Sequence, residues 1–189
     1  MGEPLKLLYS ALDRALTLAG QQLGNVQLID WNAGELKIAA QRGFAQDFLD
    51  SFRRVTTRDG CACGRALLVR DTVVIHDVTT DRDFLLYRDV AERAGFRAVQ
   101  STPLLSPSGA FFGIISTHGD CVPNRHRLEK IKSLAQQTAN ELARHYSHSD
   151  HFAIFAVGIH LIVRNSGSRG HWTSYLRISG EALSLGHLN

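Results

Sequence analysis

Two pairs of strand-like segments, each closed by a tight turn, most constrain what this chain can fold into. In the first pair, Val26, Leu28 and Asp30 alternate on one side, and Leu36, Ile38 and Ala40 form the matching strand. Asn32-Ala33-Gly34 lies between them and is good turn chemistry. In the second pair, residues 96–105 and 110–118 flank Ser106-Pro107-Ser108-Gly109, which fits a type I turn with proline at its second position. Pro103 cannot donate to a ladder, so it predicts a bulge or an unpaired edge near the end of its strand.

Helical patterns lie at the ends and in one long crossover between the pairs. Leu5, Leu8, Leu12, Ala15 and Ala19 recur by threes and fours, with Gly20 and Gly24 near the end of that helix. Phe44, Phe48 and Phe52 predict a helix with one aromatic stripe. Asp59-Gly60 breaks the chain, Cys61 to Arg70 reads as a short helix, and Thr72 to Val78 reads as a strand. Thr80-x-x-Asp83 has the form of a capping box opening a helix with Phe84, Tyr87, Val90, Ala91 and Ala94, and Gly95 suits its C-terminal cap. Pro123 and Asn124 open a long helix to Tyr146, striped by Leu128, Ile131, Ala135, Thr138 and Leu142. The order predicts an α+β fold, an antiparallel sheet with helices on its faces.

Composition excludes several classes. The 189 residues are 44% hydrophobic and 21% charged, enough apolar material for a core. The net charge of +3 comes without a dense basic block, so nucleic acid is not an expected partner. Three cysteines, Cys61, Cys63 and Cys121, argue against a disulfide framework and suit a reducing cytoplasm. Pro4, Asp13 and Arg14 interrupt any signal-peptide core, and the longest apolar stretch, Phe152 to Val163, is too short to span a bilayer as a helix. A soluble, cytoplasmic protein with no membrane partner is expected.

Residues 23 to 145 resemble the GAF domain family, in the form found beside PAS domains in bacterial sensor histidine kinases. The likeness is carried by Leu28-Ile29-Asp30, the run Leu36 to Phe44, Cys63-Gly64-Arg65-Ala66-Leu67 and Val73 to Val78. Its strongest run is Gly95 to Leu104, and Gly113-Ile114-Ile115-Ser116-Thr117-His118 completes it. The resemblance implies a central antiparallel sheet of five to six strands with helices on both faces, GAF-like and PAS-related. It also implies a small-molecule pocket between the sheet and the crossover, and dimerisation through the first and last helices. On this reading 1–22 is an N-terminal helix, 23–147 the GAF domain, and 148–189 an extension of unknown role, in which Phe152 to Val163 forms a strand or a hydrophobic helix and 166–170 is linker-like. Both terminal helices carry apolar stripes that suit self-association or packing on their own sheet.

The candidate ligand-binding residues are Cys63, Phe84, Tyr87, Arg88, Gln100, Ser101 and Thr102, an aromatic wall with a few polar groups. They describe an ordinary core with a satisfied tyrosine equally well. Cys61 and Cys63 stand at the start of a short helix, where a thiol favours its thiolate. Their spacing is not that of a zinc or iron–sulfur knuckle. The bland alternative is that Cys63 is a small buried residue and Cys61 a passenger. Cys63-Gly64-Arg65-Ala66 is similar to the cysteine segment of free methionine-(R)-sulfoxide reductases, but the loop from Val78 to Asp83 lacks the further cysteine that family needs. The Asn-Lys-x-x-Phe motif of cyclic-nucleotide GAF domains is missing, and neither Cys61 nor Cys63 precedes a histidine, as bilin attachment requires. His145, His148 and His151 recur by three without a completing acid or thiol, so no metal site is expected, and His118 reads as structural or solvent-facing. No catalytic set is found and no cofactor is named.

The expectation is therefore a sensor module, not an enzyme. It would bind a small effector, form a homodimer and act on a sensor kinase or other signalling partner. The alternatives are a ligand-free protein-interaction module, and a thiol-based redox sensor or methionine sulfoxide reductase-like enzyme using Cys63.

Overall fold

The structure is a computed structural model and describes residues 2–147, 151–156, 159–165, 172–178 and 181–188. Helix α1, Glu3–Ala19, starts at Pro4 in its first turn and stops at Gly20, whose left-handed backbone (φ 70°) returns hydrogen bonds to the last turn. Strands β1, Leu23–Asp30, and β2, Glu35–Arg42, form the first hairpin. Helix α2 covers only Gln46–Ser51. Phe44 precedes it and Phe52 caps it, yet all three phenylalanines are buried. Helix α3, Ala62–Val69, is followed by β3, Val73–Ile75, and α4, Arg88–Ala94. Strands β4, Ala98–Leu105, and β5, Phe111–Gly119, form the second hairpin, and α5, Arg125–Ser147, closes the fold.

The five strands make one antiparallel sheet in the order β2-β1-β5-β4-β3. Helices α1 and α5 cover one face, packing Leu8, Leu12, Ala15, Ile131, Ala135 and Leu142 on or toward Val26, Ala40, Leu104 and Ile115. The crossover elements cover the other face, with Phe44, Phe48, Phe52, Cys61, Phe84 and Phe96 in one cluster with Ile114. The stripes of the terminal helices are thus used by the chain's own core.

Three local expectations change, and a fourth agrees with the structure. Leu36, Ile38 and Ala40 do not share a face: the register jumps from Val26↔Ala40 to Gln27↔Ile38, so Ala39 is an extra residue that turns Ala40 toward α1. The strand expected over 72–78 shortens to Val73–Ile75. The Thr80-x-x-Asp83 capping box opens no α-helix. Asp77 accepts from the Thr79 amide and Asp81 from the amides of Asp83 and Phe84, and a 3-10 turn, Leu85–Tyr87, leads into α4 instead. These aspartates, two or three residues before the amides they bind, form turns that compete with a helix start. Pro103 lies past the end of the β3 pairing, and the register shifts at Leu104/Leu105, as a missing donor requires.

Beyond α5, β6 (His151–Ala156), β7 (Ile159–Asn165), β8 (Trp172–Ile178) and β9 (Glu181–Leu188) form a second antiparallel sheet in sequential order. Of the apolar run Phe152 to Val163, the described residues lie in strands β6 and β7 and not in a helix. The linker-like stretch 166–170 and His148 lie outside the described residues.

Candidate functional site

Alternation along the strands decides which side chains meet the crossover elements. Asn25, Ser116 and Ser101 are directly opposite one another on β1, β5 and β4, and so are Val99 and His118 one rung away. This face is polar at its centre. Ser101 and Ser116 share a hydrogen bond of 2.8 Å. Over them lies a narrow cavity bounded by Asn25, Ser101, His118, Cys61, Cys63 and Phe84, with room for about one water molecule.

Three side chains on this face carry buried acceptors without a partner: Asn25 Oδ1, Gln27 Oε1 and His118 Nδ1. Their residues are 3%, 1% and 6% exposed. Burial drives His118 down to about 3, against a backbone hydrogen bond at Leu23 that pulls the other way, so the ring is neutral. Phe44, Phe48 and Phe96 meet that ring edge-on, with centroids 5.0, 5.7 and 4.7 Å away. Leaving such groups without any partner costs about 1–3 kcal/mol each.

Cys61 is the N-cap residue of α3 and Cys63 lies in its first turn. Their sulfurs are 3.4 Å apart and both residues are buried. The Cys63 thiol beside it holds Cys61 below the ordinary thiol range despite burial, and the same contact together with burial pushes Cys63 well above it. The contact thus favours negative charge on Cys61 over Cys63. The N-cap position, where the helix dipole favours a thiolate, belongs to Cys61.

The other sequence candidates scatter. Tyr87 donates to Asp59 Oδ1 at 2.5 Å, and burial with that bond raises its phenol far above its usual range. Burial opposes ionisation of Asp59, but Tyr87 and Thr56, which donates through both its amide and its hydroxyl, keep it below the normal carboxylate range. Arg88 donates to the carbonyls of Val78 and Asp81 and so ties down the crossover. Gln100 and Thr102 lie apart from the lining of this cavity. They flank Ser101 and so face away from it, toward α5, bonding to Thr117, Thr72 and each other. Only Ser101 of that triplet meets the cavity, because successive residues of a strand point to opposite faces. Sequence reasoning missed Asn25 and Gln27. Two polar residues alternating with buried Val26 in a β1 that is otherwise an ordinary sheet strand were the available signal. His118, read as structural or solvent-facing, is buried.

Close backbone approach sets the cavity walls. A Cβ on Gly60 would stand 2.0 Å from the Asp83 carbonyl oxygen, so glycine lets the α3 entry touch the crossover. Arg65 then bridges α3 to Asp81 at 2.9 Å. Among the described residues no group of histidine, cysteine or acid side chains is arranged to hold a metal ion, and no helix is long and apolar enough to cross a membrane.

A five-stranded antiparallel sheet with terminal helices on one face and crossover elements on the other defines an α+β domain of two layers about one sheet. The GAF domain profile matches residues 4–142, and the chain belongs to the GAF domain family, a family of signalling and sensor modules. Solved structures agree in fold. The GAF domain of a phosphoenolpyruvate-protein phosphotransferase from Coxiella burnetii is 14% identical with a TM-score of 0.66, covering 78% of this chain and 86% of that one. The GAF domain region of a protein from Geobacter sulfurreducens is 20% identical with a TM-score of 0.63, covering 74% and 93%. A type II free methionine-R-sulfoxide reductase from Thermoplasma acidophilum is 18% identical with a TM-score of 0.60, covering 75% and 93%. No curated protein matches the sequence.

Proposed function

We propose that this GAF domain is a sensor whose small-molecule effector occupies the space between the sheet and the crossover. The observation that supports this most is the set of three unpartnered buried acceptors, Asn25 Oδ1, Gln27 Oε1 and His118 Nδ1, on one face. An effector that donates hydrogen bonds and offers a flat apolar body would satisfy them while packing on Phe48, Phe52 and Phe84. Cys63, Phe84 and Ser101 keep their place in this site. Tyr87 and Arg88 act by holding its roof, and Gln100 and Thr102 belong to the opposite layer.

The cavity is closed down around about one water, so an effector must open it by displacing α2, α3 or the 3-10 turn. The sheet transmits that shift to α1 and α5, and these helices carry it to a second copy of the chain and to a kinase or other signalling partner. A dimer through α1 and α5 would use their outer residues, since their apolar stripes are buried against their own sheet.

Native mass spectrometry tests the effector. A mass excess that disappears on denaturation is expected, reduced at least tenfold in occupancy by Asn25→Leu, which removes an acceptor with little change in volume. Equal occupancy in Asn25→Leu and wild type would place the molecule elsewhere and overturn the proposed site. A bare dimer mass would favour the ligand-free interaction module.

A further inference from the structure

The cysteine pair is not needed to hold an effector, and its geometry carries chemistry of its own. Cys61 and Cys63 lie one residue apart, with sulfurs 3.4 Å from each other, about 1.4 Å longer than a disulfide bond. Both border the small cavity, whose lining also includes His118 and Asn25, residues that carry the unpartnered acceptors Nδ1 and Oδ1. That space takes a molecule about the size of water and, as closed, nothing as bulky as glutathione. Two acceptors facing a thiol pair through such a space suit a small molecule with two O–H donors.

We propose that Cys61 and Cys63 are a hydroperoxide-responsive dithiol, with Cys61 as the attacking sulfur and Cys63 as the resolving one. Hydrogen peroxide enters the cavity and donates its hydrogens to Asn25 Oδ1 and His118 Nδ1. The Cys61 thiolate attacks one peroxide oxygen, the O–O bond breaks, and the second oxygen leaves as hydroxide, which takes up a proton to become water. Cys61 is then a sulfenic acid. The Cys63 sulfur attacks the Cys61 sulfur, its S–O bond breaks, the Cys63 proton goes to the departing oxygen, and a second water forms. Two thiols are oxidised to one disulfide, and one peroxide is reduced to two waters.

The positions divide the roles. Cys61 is the N-cap, where the helix dipole favours a thiolate and the Cys63 thiol donates to it. Cys63 keeps its proton and so has one to give at the second step. The Cys61 carbonyl accepts from the Arg65 amide, so closing the sulfurs acts directly on the first turn of α3. Asp59, two residues upstream, holds Tyr87 of the crossover, which links the same movement to the chamber roof. The dithiol shares the cavity of the proposed effector site, but its readout is a covalent mass and does not depend on an effector being found.

The test uses the full chain with the exposed Cys121 replaced (Cys121→Ser) to prevent cross-linking. Folded protein is treated with hydrogen peroxide, quenched, denatured and alkylated. A loss of two hydrogens is expected in the tryptic peptide spanning 59–65, reversed by dithiothreitol. Glutathione disulfide at the same concentration should react at least tenfold more slowly than peroxide with the folded chain, and that ratio should shrink in urea. With Cys63→Ser, a dimedone adduct should appear on Cys61. With Cys61→Ser, Cys63 oxidation should slow at least tenfold. Two free thiols after peroxide in the folded chain would overturn the proposal, and so would unchanged Cys63 oxidation in Cys61→Ser. The wild-type peroxide-to-glutathione ratio needs no variant to fold.

Discussion

The two faces of one sheet are built to opposite rules. Against α1 and α5, the sheet presents Val26, Ala40, Leu104 and Ile115 to Leu8, Leu12, Ala15, Leu134 and Leu142, a layer of aliphatic and small residues. Against the crossover it presents Asn25, Gln27, Ser101, Ser116 and His118 to phenylalanines and two cysteines. The first face gains stability from close packing. The second keeps polar atoms that its own chain does not satisfy. The difference teaches that strand alternation alone can assign close apolar packing and a polar, phenylalanine-lined wall to opposite sides of one sheet, because each strand contributes to both faces.

That comparison can be pressed hardest on the helical face. Leu12→Ala, at a fully buried position, should lower unfolding stability by about 2–5 kcal/mol through lost burial and a residual cavity. Urea titration measures it, and a cost below about 1 kcal/mol would show that this face is not the tight one.

A smaller effect separates the faces by pH. His118 is held neutral, with its folded value near 3 against an ordinary 6.5. Its folded value is depressed, so its contribution is complete above pH 6.5 and is lost as pH falls toward 3, because the unfolded chain takes up the proton first. Between pH 7 and pH 5 this amounts to roughly 2 kcal/mol. The stability difference between those pH values should therefore be smaller in His118→Leu than in wild type. An equal difference would mean that the acid sensitivity lies in other groups.

The smallest effect belongs to the surface. Arg42 on β2 pairs with Asp13 on α1 at 2.8 Å, and both side chains are about half exposed. Arg42→Ala should change stability by no more than about 0.5–1 kcal/mol, less still in high salt. Arg42 also lies over the Tyr9 ring, 4.4 Å from its centroid, and Tyr9→Leu in the same background would separate the two contacts.

What could be read from the residues in order follows local rules. The turns at Asn32-Ala33-Gly34 and at Ser106 to Gly109, the left-handed caps at Gly20 and Gly95, and the striped helices at both ends were legible because each depends on neighbours within a few residues. The aromatic spacing of Phe44, Phe48 and Phe52 was legible as burial but not as helix length. Stacking between those rings, with Phe44 and Phe48 centroids 3.5 Å apart, is served by a short helix with extended flanks.

Whether a side chain met the chamber was decided by pairing between segments far apart in sequence. A single bulge at Ala39 sends Ala40 to the helical layer, and strict alternation takes Gln100 and Thr102 away from Ser101. Asn25 and His118 meet only because β1 and β5 lie side by side across some ninety residues of chain, and Cys61 joins them because glycine at 60 lets the crossover approach. The sequence by itself determined the elements, their order and the family, since those rest on local propensity and periodicity. Only the tertiary structure decided which polar atoms are buried together without partners, because burial is a property of the assembled sheet and its two layers and of no single segment.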